Sequence, residues 1–298
     1  MRKYLVIITV LFITCAIFYS MPIHALEPLP LARVPVAFST IQEAIDNLAQ
    51  AGTVEVESGT YYDYVRAYKP LSLIATGEIT VIDGKYRNYT DSAWQIYVAN
   101  ADNVTISGFT FLTTYGERGA TGIRVENCAN VTIANCTFED TCGSGIELVG
   151  VSNALVFNNT IDSFDVSITI WNSNNVSFTY NTLRDAGEQF QMYNSRNIVF
   201  HHNNNFNDEA YYPRVSNTTC TWDDGHGRGN YWSDYTVRYP DATNLGAVWD
   251  TPYQIDPDDA DGREHFDNYP LIEDPALPVV PQPSGDYGLG GGGRKYVC

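Results

Sequence analysis

The sequence predicts an all-β fold, a right-handed parallel β-helix wound as a single-stranded solenoid with three strands per coil and an N-terminal helical cap. Two observations predict it. One phrase recurs five times: NVTISGFTF from Asn103, NVTIANCTF from Asn130, NALVFNNTI from Asn153, NVSFTYNTL from Asn175 and NIVFHHNNNF from Asn197. Its period is 27, then 23, 22 and 22 residues, and β-branched strands repeated at such a period bury their apolar faces only by stacking copy on copy. The second observation is a strand ahead of each phrase: QIYVAN, GIRVEN, GIELVG, SITIWN and QFQMYN. Its side chains alternate in the strand period of two, which sends Ile96/Val98, Ile123/Val125, Ile146/Leu148, Ile168/Ile170 and Phe190/Met192 inward.

The elements follow in chain order. Residues 1–25 have the form of a secretory signal, with Arg2 and Lys3 ahead of an apolar run from Tyr4 to Phe18 and Ile23-His24-Ala25 at the cleavage point. They place the protein outside the cytoplasm, at a cell surface or in a periplasm-like space. The run is too short for a membrane span, so no span is expected in the mature chain. Residues 39–50, STIQEAIDNLAQ, read as an amphipathic capping helix, with Ser39 and Gln42 at capping-box spacing and Ile41, Ala44, Ile45 and Leu48 on one face. The strands TVEVESGTY, LSLIATG and ITVIDG then begin the winding, so the β-helix with its cap is expected over 36–210. Each coil should turn at two polar corners. Asn103, Asn130, Asn153, Asn175 and Asn197 form a structural ladder at one, and Asn135, Asn158, Tyr180 and His202 lie at the other with Asn159, Asn181 and Asn203 beside them. Asn suits such corners because it tolerates left-handed backbone. An aromatic-rich closing region is expected over 211–274, and a disordered Pro- and Gly-rich tail over 275–298.

The chain carries 17 basic and 35 acidic residues, a formal charge of −18, and −20 once residues 1–25 are removed. Nucleic acid is therefore no expected partner, because binding it depends on Lys and Arg neutralising phosphates. Five cysteines survive cleavage, and in an oxidising compartment two disulfides and one free thiol would fit, with Cys136–Cys142 the most local pair. Of the glycosylation sequons, those at Asn88 and Asn217 lie off the two repeating corners.

The closing region carries a resemblance. The strings WDDGHGRGNYWSDY at 222–235, TPYQID at 251–256 and DNYPL at 267–271, together with the N-V-T-I coils, resemble the NosD-like family of secreted β-helix proteins over roughly residues 36–272. The resemblance implies the β-helix fold and a label of periplasmic copper-binding, carbohydrate-binding or sugar-hydrolysis repeats. Copper is not expected here: the mature chain has one methionine, Met192, and four histidines, His201, His202, His226 and His265, and Met192 falls on the inward face of its strand while His201 and His202 occupy coil turns, whereas a copper site converges several such ligands.

Three sets of residues could carry chemistry. Asp223, Asp224 and His226 in D-D-G-H-G are similar to the aspartate and Gly-His-Gly elements of polygalacturonases, but those come from separate coils and here they are contiguous, which also suits a turn. Asp256, Asp258, Asp259 and Asp261 offer calcium ligands in a nonstandard loop, or form a solvated acidic turn. The outward face of the first strand presents Tyr97, Arg124, Glu126, Glu147, Trp171, Gln191 and Tyr193 beside the loops 139–144, 162–166 and 184–188. Aromatic rings beside hydrogen-bonding groups suit sugars, which offer apolar faces and hydroxyl edges together. On the same face Arg124 and Glu147 should sit on adjacent strands, and Glu126 and Glu147 should lie roughly 8 Å apart on a diagonal, a separation known in inverting glycosidases. The expected function is a secreted or cell-surface glycan-binding protein without catalysis. The alternatives are a polysaccharide lyase, hydrolase or epimerase, and an accessory protein for copper-centre assembly.

Overall fold

The computed structural model describes residues 28–62, 64–84, 94–112, 121–141, 143–163, 166–184, 188–205, 214–255 and 264–275. Residues 1–25, read as a signal, and the tail beyond 275 lie outside them. Among the described residues the chain winds a right-handed parallel β-helix whose strands form three long sheets of nine, eight and seven strands. One coil runs through Thr121–Glu126 in the seven-stranded sheet, Ala129–Ala134 in the nine-stranded sheet and Thr137–Thr141 in the eight-stranded sheet. The next coil repeats this with Ser144–Val149, Ser152–Phe157 and Thr160–Ser163. Ile123 therefore lies on Ile146, Ile146 on Ile168, and Ile168 on Phe190.

This register makes the core a set of columns. The ten inward residues of the first strand are at most 1% exposed. Phe178, Phe200 and Trp222 stack face to face with centroids 4.6 Å apart, and Phe111 on Phe138 at 4.7 Å. Strands lie about 4.7–4.9 Å apart, so the winding itself sets the rings at stacking distance.

The corners take left-handed backbone, and Asn fills most of them. Asn103, Asn130, Asn153, Asn175 and Asn197 have φ of 53–57°, and Asn135, Asn158, Tyr180 and His202 have φ of 53–58°. A third column, which the repeat phrase does not announce, holds Asn100, Asn127, Gly150, Asn172, Asn194 and Asn217. Along the first column the amides of Asn130, Asn153 and Asn175 each donate to the Asn one coil before, at 3.1, 3.3 and 2.7 Å, whereas Asn197 donates to Asn174. Asn217 donates its amide to Asn194, and Asn88 lies outside the described residues.

A second ladder is buried. Asn159, Asn181, Asn203 and Asn230 are at most 1% exposed. Each side-chain oxygen accepts the backbone N–H of the rung before it, from Cys136 through Asn203, and each amide donates to a strand carbonyl, Ile133, Val156, Phe178 or Phe200. Buried turns would otherwise leave these backbone groups without partners.

The capping helix is shorter than the pattern suggests, Ile41–Asn47. Thr40 is its N-cap and accepts from the Glu43 N–H, while the Glu43 carboxylate accepts from the Ser39 N–H and hydroxyl. The capping box is thus Thr40 with Glu43 and not Ser39 with Gln42. The helix stops because Leu48–Val56 already pairs in parallel with Leu29–Val34.

The expected disulfide between Cys136 and Cys142 is not made. Cys128, Cys136 and Cys220 are free thiols, which leaves too few cysteines for two disulfides. Cys142 and Cys298 lie outside the described residues. The reason is position: Cys136 occupies the rung that Asn159 fills one coil later, inside the barrel, with its thiol on the Ala134 carbonyl. Burial pushes that thiol up to about 12, and the thiolate is the reactive form. Ellman's reagent should therefore leave Cys136 unmodified in the folded protein and label it only on unfolding, as peptide mapping would show. Labelling under native conditions would contradict this placement.

The far end is closed by a non-repeating segment. Trp222, Trp232, Tyr235 and Tyr253 are buried, with Trp232 stacked on Tyr253 at 4.2 Å. Asp267, fully buried, accepts from the Asn230 N–H at 2.7 Å, the Trp232 indole at 3.0 Å and the Tyr269 N–H at 3.0 Å. The G-N-Y-W and D-N-Y-P-L strings are therefore two halves of one clasp, tied to the last rung of the buried ladder.

Candidate functional site

The outer face of the seven-stranded sheet presents two rows. Arg66, Tyr97, Arg124, Glu147, Thr169, Gln191 and Arg214 lie side by side across its strands. Glu126, Val149, Trp171, Tyr193 and Ser216 form the second row. At the start of each strand the alternation fails, because two or more consecutive residues are buried: Gln95-Ile96, Thr121-Gly122-Ile123, Gly145-Ile146, Ser167 through Ile170, where Thr169 of the first row is itself buried, and Gln189-Phe190. The chain there bends against the eight-stranded sheet so closely that a Cβ on Gly122 would sit 2.5 Å from the Phe138 ring. The bend brings the residue before it onto the face, and Trp94 packs against Tyr97 at 4.6 Å.

The face has a charged half and an aromatic half. Arg124 contacts Glu147 at 2.7 Å and Glu126 at 3.4 Å, and its guanidinium lies 5.9 Å from the Trp94 ring. Burial works against its charge, and the two carboxylates outweigh burial, raising its pKa. The Tyr97 hydroxyl donates to Glu126 at 2.8 Å, and burial followed by that carboxylate raises the phenol pKa. In the other half, Trp171, 42% exposed, leans on Tyr193 at 4.8 Å. Gln191 donates to Glu188 at 2.6 Å, and Glu188 also receives Arg214 at 2.7 Å.

The carboxylates of this face already have partners. A glycosidase needs one carboxyl to give a proton and another to activate water or attack. Here Glu126 and Glu147 share a single guanidinium, and Tyr97 takes a further lone pair of Glu126. The rings of Trp171 and Tyr193, by contrast, offer open apolar surface beside hydrogen-bonding groups. The loops expected to border the face include residues outside the described set, at 142, 164–165 and 185–187.

The other sequence candidates fall elsewhere. Asp223 and Asp224 cap a turn: Asp223 accepts from the Gly225 N–H, and Asp224 from the N–H groups of His226 and Arg228. Burial alone would raise the Asp224 pKa; those two bonds and the nearby imidazoles carry it below the usual carboxylate range. His226 is exposed at the tip of that turn. Asp256, Asp258, Asp259 and Asp261 lie outside the described residues. Met192 is sealed in the core against Cys220, and among the described residues no three His, Cys, Asp or Glu side chains converge. No described helix is long and apolar enough to cross a membrane.

Trp94, Arg66, Glu188 and Arg214 join the face although alternation does not mark them. Counting the register coil by coil finds Arg66 and Arg214, whereas Trp94 and Glu188 depend on the bend, for which Gly122 and Gly145 are the only trace in the sequence.

Residues 94–225 match the family model described as the right handed beta helix region. That segment spans the five phrases and all of the face except Arg66. No curated protein matches the chain. Among solved structures it is similar to the catalytic domain of a GH87 α-1,3-glucanase in complex with tetrasaccharides, at 16% identity and a TM-score of 0.45, over 69% of this chain and 39% of that one. It is also similar to a pectin methylesterase in complex with a hexasaccharide, at 12% and 0.42, over 66% and 74%. A third is PfbA, a surface adhesin of Streptococcus pneumoniae, at 12% and 0.34, over 64% and 74%. The chain spans about two fifths of the glucanase domain. At these identities and scores the likeness says nothing of activity.

Proposed function

We propose that this is an exported, surface or envelope glycan-binding protein, with a closing region of the NosD-like type, which holds a polysaccharide on the outer face of its seven-stranded sheet without cleaving it. The observation that carries the reading is the Trp171–Tyr193 pair, with Trp171 exposed and Tyr193 half-buried, beside the polar side chains of Gln191 and Glu188. Aromatic rings of this kind cover the apolar face of a pyranose, and the flanking amide and carboxylate groups meet its ring hydroxyls. The strands beneath are paired on both sides, so the platform is ordered before the ligand arrives, which lowers the cost of binding.

The mature protein, incubated with insoluble cellulose, chitin, xylan and pectin, should sediment with at least one of them while the supernatant gains neither reducing ends nor unsaturated uronic products. Product release abolished by Glu147→Gln would make the face an active site instead. Failure to sediment with any of these polymers would overturn the glycan reading.

A further inference from the structure

We propose a second saccharide site in the cleft between the Tyr180–His202 corner and the closing region, sized for a short oligosaccharide end. The cleft encloses about 490 Å³ and is lined by Tyr180, His202, Arg228, Leu271, Glu273 and Asp274 among others, within the volume range of small-molecule sites. It shares none of its residues with the sheet face, so either reading can fail alone.

The first argument comes from the corner. The column reads Asn135, Asn158, Tyr180, His202, all with left-handed φ of 53–58°. Asn holds that conformation readily and its amide bonds up the column, as Asn158 does to Asn135 at 2.7 Å. A bulky aromatic residue at positive φ is uncommon and costs conformational energy, so Tyr180 is there against local preference. At the coils where the closing region folds over, the column abandons its own ladder for two rings stacked 5.1 Å apart at 20°. They face the cleft and not the core. Burial lowers the His202 pKa, which favours the neutral imidazole as a stacking partner.

The second argument is the opposite wall. The D-D-G-H-G-R-G turn sets Arg228 at the cleft: Asp224 accepts the Arg228 N–H at 3.1 Å, and the Asp224 N–H donates to the Arg228 carbonyl at 2.9 Å. Leu271 and Ile272 are tied by backbone bonds to Asn230 and Ala247 at 2.8 and 3.3 Å, so the carboxylates that follow, Glu273 and Asp274, project from a fixed segment. A ring platform with one guanidinium and two carboxylates at its edge matches a pyranose, whose face stacks and whose vicinal hydroxyls pair with planar charged groups. The turn that resembles a catalytic motif thereby gains a different task, that of placing Arg228.

Tyr180→Asn supplies the test, because it restores the residue the corner uses elsewhere. Cellobiose, N,N′-diacetylchitobiose and digalacturonate are titrated by calorimetry into wild type, Tyr180→Asn, Arg228→Ala and Ile79→Ala, an exposed side chain outside both sites. At least one disaccharide should bind wild type. Its affinity should fall tenfold or more in Tyr180→Asn and Arg228→Ala, and stay unchanged in Ile79→Ala. The thermal midpoint of Tyr180→Asn should equal or exceed that of wild type, which separates a binding role from a structural one. Binding of none of the three, or equal binding by Tyr180→Asn, overturns the proposal.

Discussion

Asp267→Ala should loosen the closing region and cost roughly 3–5 kcal/mol of stability, since it strands the buried donors of Asn230 and Trp232, and the part-buried N–H of Tyr269, without an acceptor. Gly229→Ala belongs with it, because a Cβ there would come 1.8 Å from an Asp267 oxygen. The clasp also carries a pH signature. Burial pushes the Asp267 carboxyl up to about 7 against the N–H bonds that favour its charge. The folded state therefore keeps a proton that the unfolded chain releases near its ordinary value of 3.8. Stability from this group is complete below that value and declines as pH rises towards about 7. Asp234, raised first by burial, acts with the same sign, so the comparison that isolates Asp267 is with Asp267→Asn. Between pH 5 and 8 the unfolding midpoint of wild type should fall more steeply than that of Asp267→Asn. Parallel curves would contradict a proton held in the clasp.

Asn181→Ala should be nearly as damaging, at roughly 3–4 kcal/mol. Its side-chain oxygen accepts from the N–H and amide of Asn159, and its own amide donates to the Val156 carbonyl and to Asn203. Truncation breaks all four bonds and leaves buried backbone groups unmet. Asn153→Ala, on the exposed ladder, loses two solvent-facing bonds and the left-handed preference of Asn, and should cost about 1 kcal/mol. Urea unfolding of the two variants separates the ladders. Equal losses would mean that the inner one contributes no more than the outer.

The fold was legible because its signal repeats. Alternation within each strand and a fixed period between coils sort Ile146 from Glu147 without any tertiary information, and the structure buries the first and exposes the second in part. The helix was overdrawn because Leu48 continues the apolar stripe of Ile41, Ala44 and Ile45, although its backbone is taken by a strand partner. Cys136 was matched with Cys142 on proximity in the chain because the inward turn of its column shows only when Asn159, Asn181 and Asn203 are stacked beneath it. On the face, the Arg124–Glu147 contact followed from the 23-residue spacing, but the approach of Glu126 and Tyr97 to the same cluster depends on side-chain geometry. The clasp and the cleft had no periodic signal, since both join the repeats to a segment that does not repeat: Asn230 and Asp267 are 37 residues apart.

The reading of the sheet face rests on Trp171 and Tyr193 acting as a platform for a sugar chain. The direct measurement is the affinity of the Trp171→Ala/Tyr193→Ala double variant for the polysaccharide that wild type retains, by calorimetry alongside thermal unfolding. The account predicts binding weaker by about tenfold or more with an unfolding midpoint close to that of wild type. Undiminished affinity in a folded double variant would contradict it.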